Sequence, residues 1–294
     1  MSATTVANSM RGTFAFSKPQ TLKIRVNFSN WLGLGLVAAY IALCLLGPRL
    51  TSFSPVAQNI TDARKPPSSV HWVGTDPLGR DVFSRVAEGA GVTLKISFFS
   101  LVLAAFSGTM LGLASGYFGG LTDSLLMRLV DIQLAIPALM LSLVIVSLAG
   151  SNFTSLILAL SVGSYPAFAR LCRGLTLRCK GEVYTEAARS VGASNTRIMV
   201  KHILPNVLPH LTVLATVSLG RVVLAIAGLG FLGFSGDPGA PELGTMVAQA
   251  RDYFRFYPHL MFFPGITIVV AVMGFNLLGD GIRDRLDPYL RGRL

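Results

Sequence analysis

Apolar residues in this chain come in long charge-free runs, not in the short alternations of a water-soluble sheet or helix. Positions 31–47, 96–122, 211–234 and 259–279 each carry such a run, the third interrupted only by Arg221. Residues 132–169 contain no Asp, Glu, Lys or Arg over 38 positions. A hydrocarbon core of about 30 Å takes roughly 20 apolar residues at 1.5 Å each. The 38-residue run is therefore two spans, broken at Gly150-Ser151-Asn152, and the whole pattern predicts six membrane-spanning helices. Pro137 and Pro166 are expected to kink or end their helices. Arg128 and Asp131 stand three apart and can pair on one helical face. A seventh span is conceivable if 82–91 dips into the membrane; Asp81 and Glu88 argue against it.

Between the runs lie a polar stretch at 49–95, a basic one at 170–206 and a shorter one at 235–258. The chain is 52% hydrophobic and 13% charged over 294 residues. A soluble domain cannot cover that much apolar surface with so few charges. The net charge of +11 sits mostly at the span ends. Lys and Arg number sixteen in the set formed by both tails, the 170–206 stretch and Arg128, and eight in the other connecting stretches. The richer set belongs in the cytoplasm, which puts both termini there. The tails are assigned to 1–30 and 282–294, with a six-span domain at 31–281. No cleavable leader ends the first run convincingly. The basic residues do not interleave with aromatics on a soluble face, so nucleic acid is not indicated.

The chemistry-bearing patterns are few. Cys44, Cys172 and Cys179 form no metal or disulfide spacing, and His71, His202, His210 and His259 are scattered, so no metal site is expected. No nucleophile–base pattern or phosphate-binding glycine loop occurs, so no catalytic residue and no cofactor are assigned. The residues that stand out are in the basic stretch. Val183, Ala187 and Val191 recur at four-residue spacing and make a narrow apolar stripe, with Glu182, Glu186 and Arg189 beside it. Gly192 falls where a helix ends in the left-handed conformation. Ser194 can cap a second helix, and Pro205 is expected to stop it. Such a helix–turn–helix could rest on lipid headgroups, but its alanine-rich stripe suits a protein groove better.

Glu186-Ala187-Ala188, then Gly192, then Leu204-Pro205 resembles the signature loop of membrane subunits of ATP-binding-cassette importers. His202 stands where the pattern has Ile, a departure similar to the peptide/nickel branch. His71-Trp72-Val73-Gly74-Thr75-Asp76-Pro77-Leu78-Gly79-Arg80-Asp81, 116–120, 127–131, 230–233 and 275–284 also resemble that branch, and the likeness to its second, C-type permease covers about 31–290.

The resemblance implies an all-α type I importer permease fold in the bacterial inner membrane. Its coupling helix is Glu186, Ala187, Ala188 and Gly192, followed by Leu204 and Pro205. It implies a second homologous permease, one or two ATPase subunits that bind ATP and Mg, and an extracytoplasmic binding protein. The cargo would be a dipeptide or oligopeptide, or alternatively nickel or a metallophore. Arg221 and Asp131 are candidates for the translocation path. Arg221 either meets a cargo carboxylate or pairs structurally with Asp131, a backbone carbonyl or the partner permease. Asp76, Arg80, Asp81 and Arg85 either dock the binding protein or form a solvated, self-paired loop. A stand-alone secondary transporter is the rival from another class; it would rely on Asp131 and Arg221.

Overall fold

The fold is taken from a computed structural model that describes residues 28–234, 236 and 239–286. Most of both proposed tails lies outside the described residues. Ten α-helices follow in order: α1 Phe28–Leu50, α2 Val82–Phe118, α3 Gly120–Leu134, α4 Ala138–Ala149, α5 Phe153–Lys180, α6 Val183–Ser190, α7 Asn195–Arg197, α8 Leu204–Phe231, α9 Leu243–Ala250 and α10 His259–Leu286. Five helical segments are long and apolar enough to cross a membrane alone: α1, α2, α5, α7 running into α8, and α10. A sixth crossing exists only if α3 and α4 are counted together, and they are bent by 88°.

This differs from the expectation in four ways. Helix α2 begins at Val82, not near 96, so 82–91 is the first part of an existing helix and not a seventh span. Asp81 starts it by accepting the Ser84 N–H at 2.8 Å. The stretch 132–149 is not one straight span. Pro137 stands at the start of α4, whose 12 residues reach only about 18 Å. Pro166, by contrast, lies inside an unbroken α5. A proline frees the carbonyl four residues before it, and here Gln133 Nε2 of α3 donates to that Val162 oxygen. The neighbouring helix thus satisfies the freed group, which is how proline is tolerated in membrane helices.

The fourth difference is Pro205. It does not stop a helix; it lies in the first turn of α8. A π-helical turn at Ile198–Ile203 precedes it, with the Leu204 N–H reaching Met199 O. The wider turn relieves the proline ring's clash with the preceding turn, so the segment 195–231 runs on as one rod.

Lipid supplies no hydrophobic drive between helices, so close packing must. Gly108, Gly112 and Gly116 of α2 make a small-residue stripe against α5: a Cβ at Gly108 would lie 2.5 Å from Tyr165 O, and one at Gly112 2.5 Å from Ala169 O. Tyr40 of α1 donates to Ala90 O of α2 at 3.0 Å and stacks edge-on to Phe275 of α10. Arg173 of α5 grips Asp123 of α3 with two bonds of 2.5 and 2.6 Å, and Ser115 of α2 donates to the same carboxylate. Three helices are tied at that end of the bundle.

Candidate functional site

Helix α6 sits across the end of the bundle where α2 and α5 finish. One face points inward. Thr185 is fully buried and donates to Cys179 O at 2.7 Å, while Ala188 joins a buried cluster with Tyr117, Ile198 and Ile203. The other face points away. Val183 and Val191 are 80% and 84% exposed, and Glu186, Ala187 and Arg189 lie on the open side with them. The Val183 and Val191 ends of the apolar stripe read from the sequence are therefore left uncovered by the described residues. Gly192 closes the helix at φ +81°, where Gly is favoured. The Ala193 N–H reaches back to Ala188 O at 3.1 Å, and Ser194 accepts the Arg197 N–H to begin α7. Tyr117 at the end of α2 donates to Asn195 Oδ1 at 2.8 Å, and Lys180 lies 5.7 Å over its ring. Leu204 and Pro205 follow in the first turn of α8, and the His202 carbonyl accepts from Asn206 Nδ2 at 2.7 Å.

The candidate path residues lie deeper. A cleft of about 260 Å³ opens between α4, α5 and α8. Ala138 and Ser142, Ser164, and Ser218 with Arg221 line it from the three helices in turn. Arg221 donates to Ser218 Oγ at 2.9 Å, one turn back on its own helix. Asp131 does not pair with it, nor with Arg128; Arg170 of α5 takes that carboxylate at 2.7 Å. An arginine at the centre of a membrane helix costs about 2.5–3.5 kcal/mol to insert unless water or a partner meets it. An open cleft supplies that meeting place.

Asp76, Arg80, Asp81 and Arg85 are brought together, but inward. Their exposures are 8%, 8%, 4% and 2%. Asp76 accepts from Arg80 Nε at 2.6 Å and from the backbone of Leu78 and Arg80 at 2.9 Å each. Arg85 donates to Pro55 O at 2.9 Å, and Asp81 holds His71 Nδ1 at 2.9 Å. The irregular stretch 51–81 is thereby folded tightly on itself. Gly79 illustrates how tightly, since a Cβ there would lie 1.7 Å from Asn59 O. These four charges are self-paired, as one alternative had it, but buried and not solvated, because the stretch folds over them.

Residues 108–292 match the family model described as binding-protein-dependent transport system inner membrane component. The chain belongs to that family. The permease is 38% identical over 260 residues to the dipeptide transport system permease protein DppC of Alkalihalophilus pseudofirmus, covering 88% of this chain and 86% of the relative. It is 42% identical over 225 residues to the glutathione transport system permease protein GsiD of Pectobacterium atrosepticum, covering 76% and 75%. Among solved structures, the inward-facing MetNI methionine ABC transporter superposes with a TM-score of 0.56 at 24% identity. That match covers 69% of the permease and 97% of the solved chain, and it fixes the fold as that of a type I importer membrane subunit.

Two features of the permease escaped the sequence reading. The glycine stripe of α2 was legible as Gly-x-x-x-Gly-x-x-x-Gly at 108–116 and was not used. Glu242 had no such signal. It caps α9 by accepting the Gly244 and Thr245 N–H groups and the Thr245 hydroxyl, and it is 3% exposed against Gly230 of α8. Burial pushes its carboxyl above the usual range, and the two backbone donors offset part of that. No group of three or more His, Cys, Asp or Glu side chains that could hold a metal occurs among the described residues.

Proposed function

We propose that the permease is one of two membrane subunits of an importer for small peptides, driven by ATPase subunits and fed by a binding protein. Its relatives' names, dipeptide and glutathione transport, support a peptide cargo over a nickel chelate. The observation that carries the reading is the outward-facing stripe of α6. Val183 and Val191 stand almost fully in the open, on a helix whose opposite face is locked by Thr185 and Ala188, with the Tyr117–Asn195 bond holding α7 just beyond it. A rigid element that presents apolar side chains outside the membrane is built to be received by a groove in another protein.

In this reading Glu186 to Gly192 seat in an ATPase subunit on the cytoplasmic side, and both termini lie on that side too. ATP-driven closure of the ATPases displaces α6. Because α6 is bonded to the end of α5 through Thr185 and leads into α7, which Tyr117 of α2 holds, and on into α8, the displacement rocks those long helices and alternates access to the path between the two permeases. Arg221 lines that path, with the Asp131–Arg170 pair on its rim. The outer stretch 51–81 is a preformed platform against which the binding protein rests. Its buried Asp76, Arg80, Asp81 and Arg85 set the platform's shape, and direct contact falls to its exposed residues such as Trp72 and Ile60.

The test is affinity purification of tagged permease beside Gly192→Asp. Nothing lies within 4 Å of a Cβ built at Gly192, but φ +81° strains any L residue there, so the variant's melting is measured beside its partners; it places a charge where a partner would close. Wild type should bring down an ATPase and a second permease, and the variant should lose the ATPase alone. A homomeric protein in both preparations would sink the importer reading in favour of a secondary transporter.

A further inference from the structure

The cleft between α4, α5 and α8 has one charged lining side chain, Arg221, among serines, glycine, proline and aliphatic groups. Arg221 forms no ion pair with any carboxylate among the described residues. Asp131, the other candidate path residue, is held by Arg170. A guanidinium has five donors in a planar fork, and Ser218 accepts from one nitrogen only. The remaining donors of Arg221 are thus available to the cleft.

Depth says what can reach them. Arg221 stands 10 residues before the end of α8 at Phe231 and 17 after its start at Leu204, which is about 15 Å and 25 Å along the axis. With the Phe231 end of α8 at one face of a hydrocarbon core about 30 Å thick, Arg221 falls near the middle of that core. Lipid phosphates stay at the surface of that core, whereas a solute crossing the membrane passes its middle. The fork fits a carboxylate with two parallel bonds, and low-dielectric walls strengthen them. The neighbouring α3–α4 bend at Pro137 puts Ala138 and Ser142 on the opposite wall, so a change in that bend would alter the cleft's width.

We propose that Arg221, steadied by Ser218, is a carboxylate subsite that the cargo meets in transit, a role that rests on the peptide-importer reading above. The cleft takes the carboxylate end of the peptide, and the rest of the cargo lies against the second permease.

The test uses the complete complex with its binding protein in proteoliposomes. The probes are labelled dialanine and its C-terminal amide, each supplied at a level that saturates the binding protein. The readout is the ratio of the two uptake rates, in which effects of delivery and assembly cancel. In wild type the acid should be favoured. In Arg221→Gln the preference should shrink about tenfold, the worth of one charge-assisted hydrogen bond, while binding-protein-stimulated ATPase activity persists. Arg221→Lys, which keeps the charge and loses the fork, should fall between them. An unchanged ratio in Arg221→Gln, whether both rates drop or neither does, overturns the subsite and leaves the importer reading standing. Wild type taking up neither probe overturns the peptide reading, and the subsite with it.

Discussion

The two polar regions of this permease handle water in opposite ways. The stretch 51–81, with the first turn of α2, turns one cluster of charges inward: Asp76, Arg80, Asp81 and Arg85 are all less than a tenth exposed and bonded to one another or to backbone, while Arg64 and Lys65 stay in the open. The α6 element turns its valines outward and buries a threonine. Isolated buried charges survive only when paired and hydrogen-bonded. Exposed apolar groups in a row persist when another surface covers them. The first region is finished within the chain, and the second, in the function proposed above, is finished by a partner. The comparison predicts where a mutation will be felt: in the folding of the subunit at one end and in assembly at the other.

The largest effect should come from unbalancing the outer network. Asp76→Ala leaves Arg80 and Arg85 as buried cations without their shared carboxylate, and breaking a buried pair from one side costs about 3–5 kcal/mol. The purified subunit should melt markedly lower in detergent, or fail to accumulate. The sharper version adds Arg80→Leu to Asp76→Leu. Removing Arg80 as well should recover part of the loss, because Arg85 then remains the one buried cation without that carboxylate. If the single variant melts like wild type, the network is not what shapes the stretch.

Next in size is the reverse experiment at α6. Val183→Asp with Val191→Asp should leave the melting of the isolated subunit within about 0.5 kcal/mol, as for other exposed positions. Retention of the ATPase should fall by about 2 kcal/mol or more, the scale of an interface hot spot. A large stability loss with ATPase retained would erase the contrast between the two regions.

Gly112→Val probes the rod between them. Helix α2 spans roughly 55 Å as one helix, and its outer end carries the Asp81 cap while its inner end holds Tyr117. The new Cβ would meet Ala169 O and the Cys172 Cβ of α5. Overpacking of this kind costs about 1–3 kcal/mol, so thermal unfolding should register it whichever end is in view. An effect confined to ATPase retention would mean that α2 and α5 part more easily than their packing suggests.

What was legible in the sequence followed the same division. Long apolar runs gave the spans because lipid imposes a length. The corner at Gly192 and the cap at Ser194 were legible because they are local. The stripe of Val183 and Val191 was also legible, though not which way it faced. Proline was the poorest guide. Pro137 behaves as a breaker, but Pro166 and Pro205 do not, because Gln133 from another helix and a π turn absorb their cost. Neither compensation is visible at the proline itself. The outer charges were spotted as a group but could not be placed inward or outward, since a paired buried Arg and a solvated one are written alike. Glu242 was invisible for the same reason: its partners are backbone N–H groups.

The smallest prediction concerns the joint between rod and coupling element. Tyr117→Phe removes the hydroxyl that donates to Asn195 and keeps the ring that Lys180 overlies. A single hydrogen bond of this kind contributes about 0.5–1.5 kcal/mol, so the subunit should still fold and still retain its ATPase through the unaltered valines. What should change is the grip of α2 on α7, read as faster amide hydrogen exchange across 183–203 with the exchange of 51–81 unaffected. Faster exchange at both ends would mean that α2 transmits the loss along its length, and the two regions would then be one mechanical unit with two differently finished surfaces.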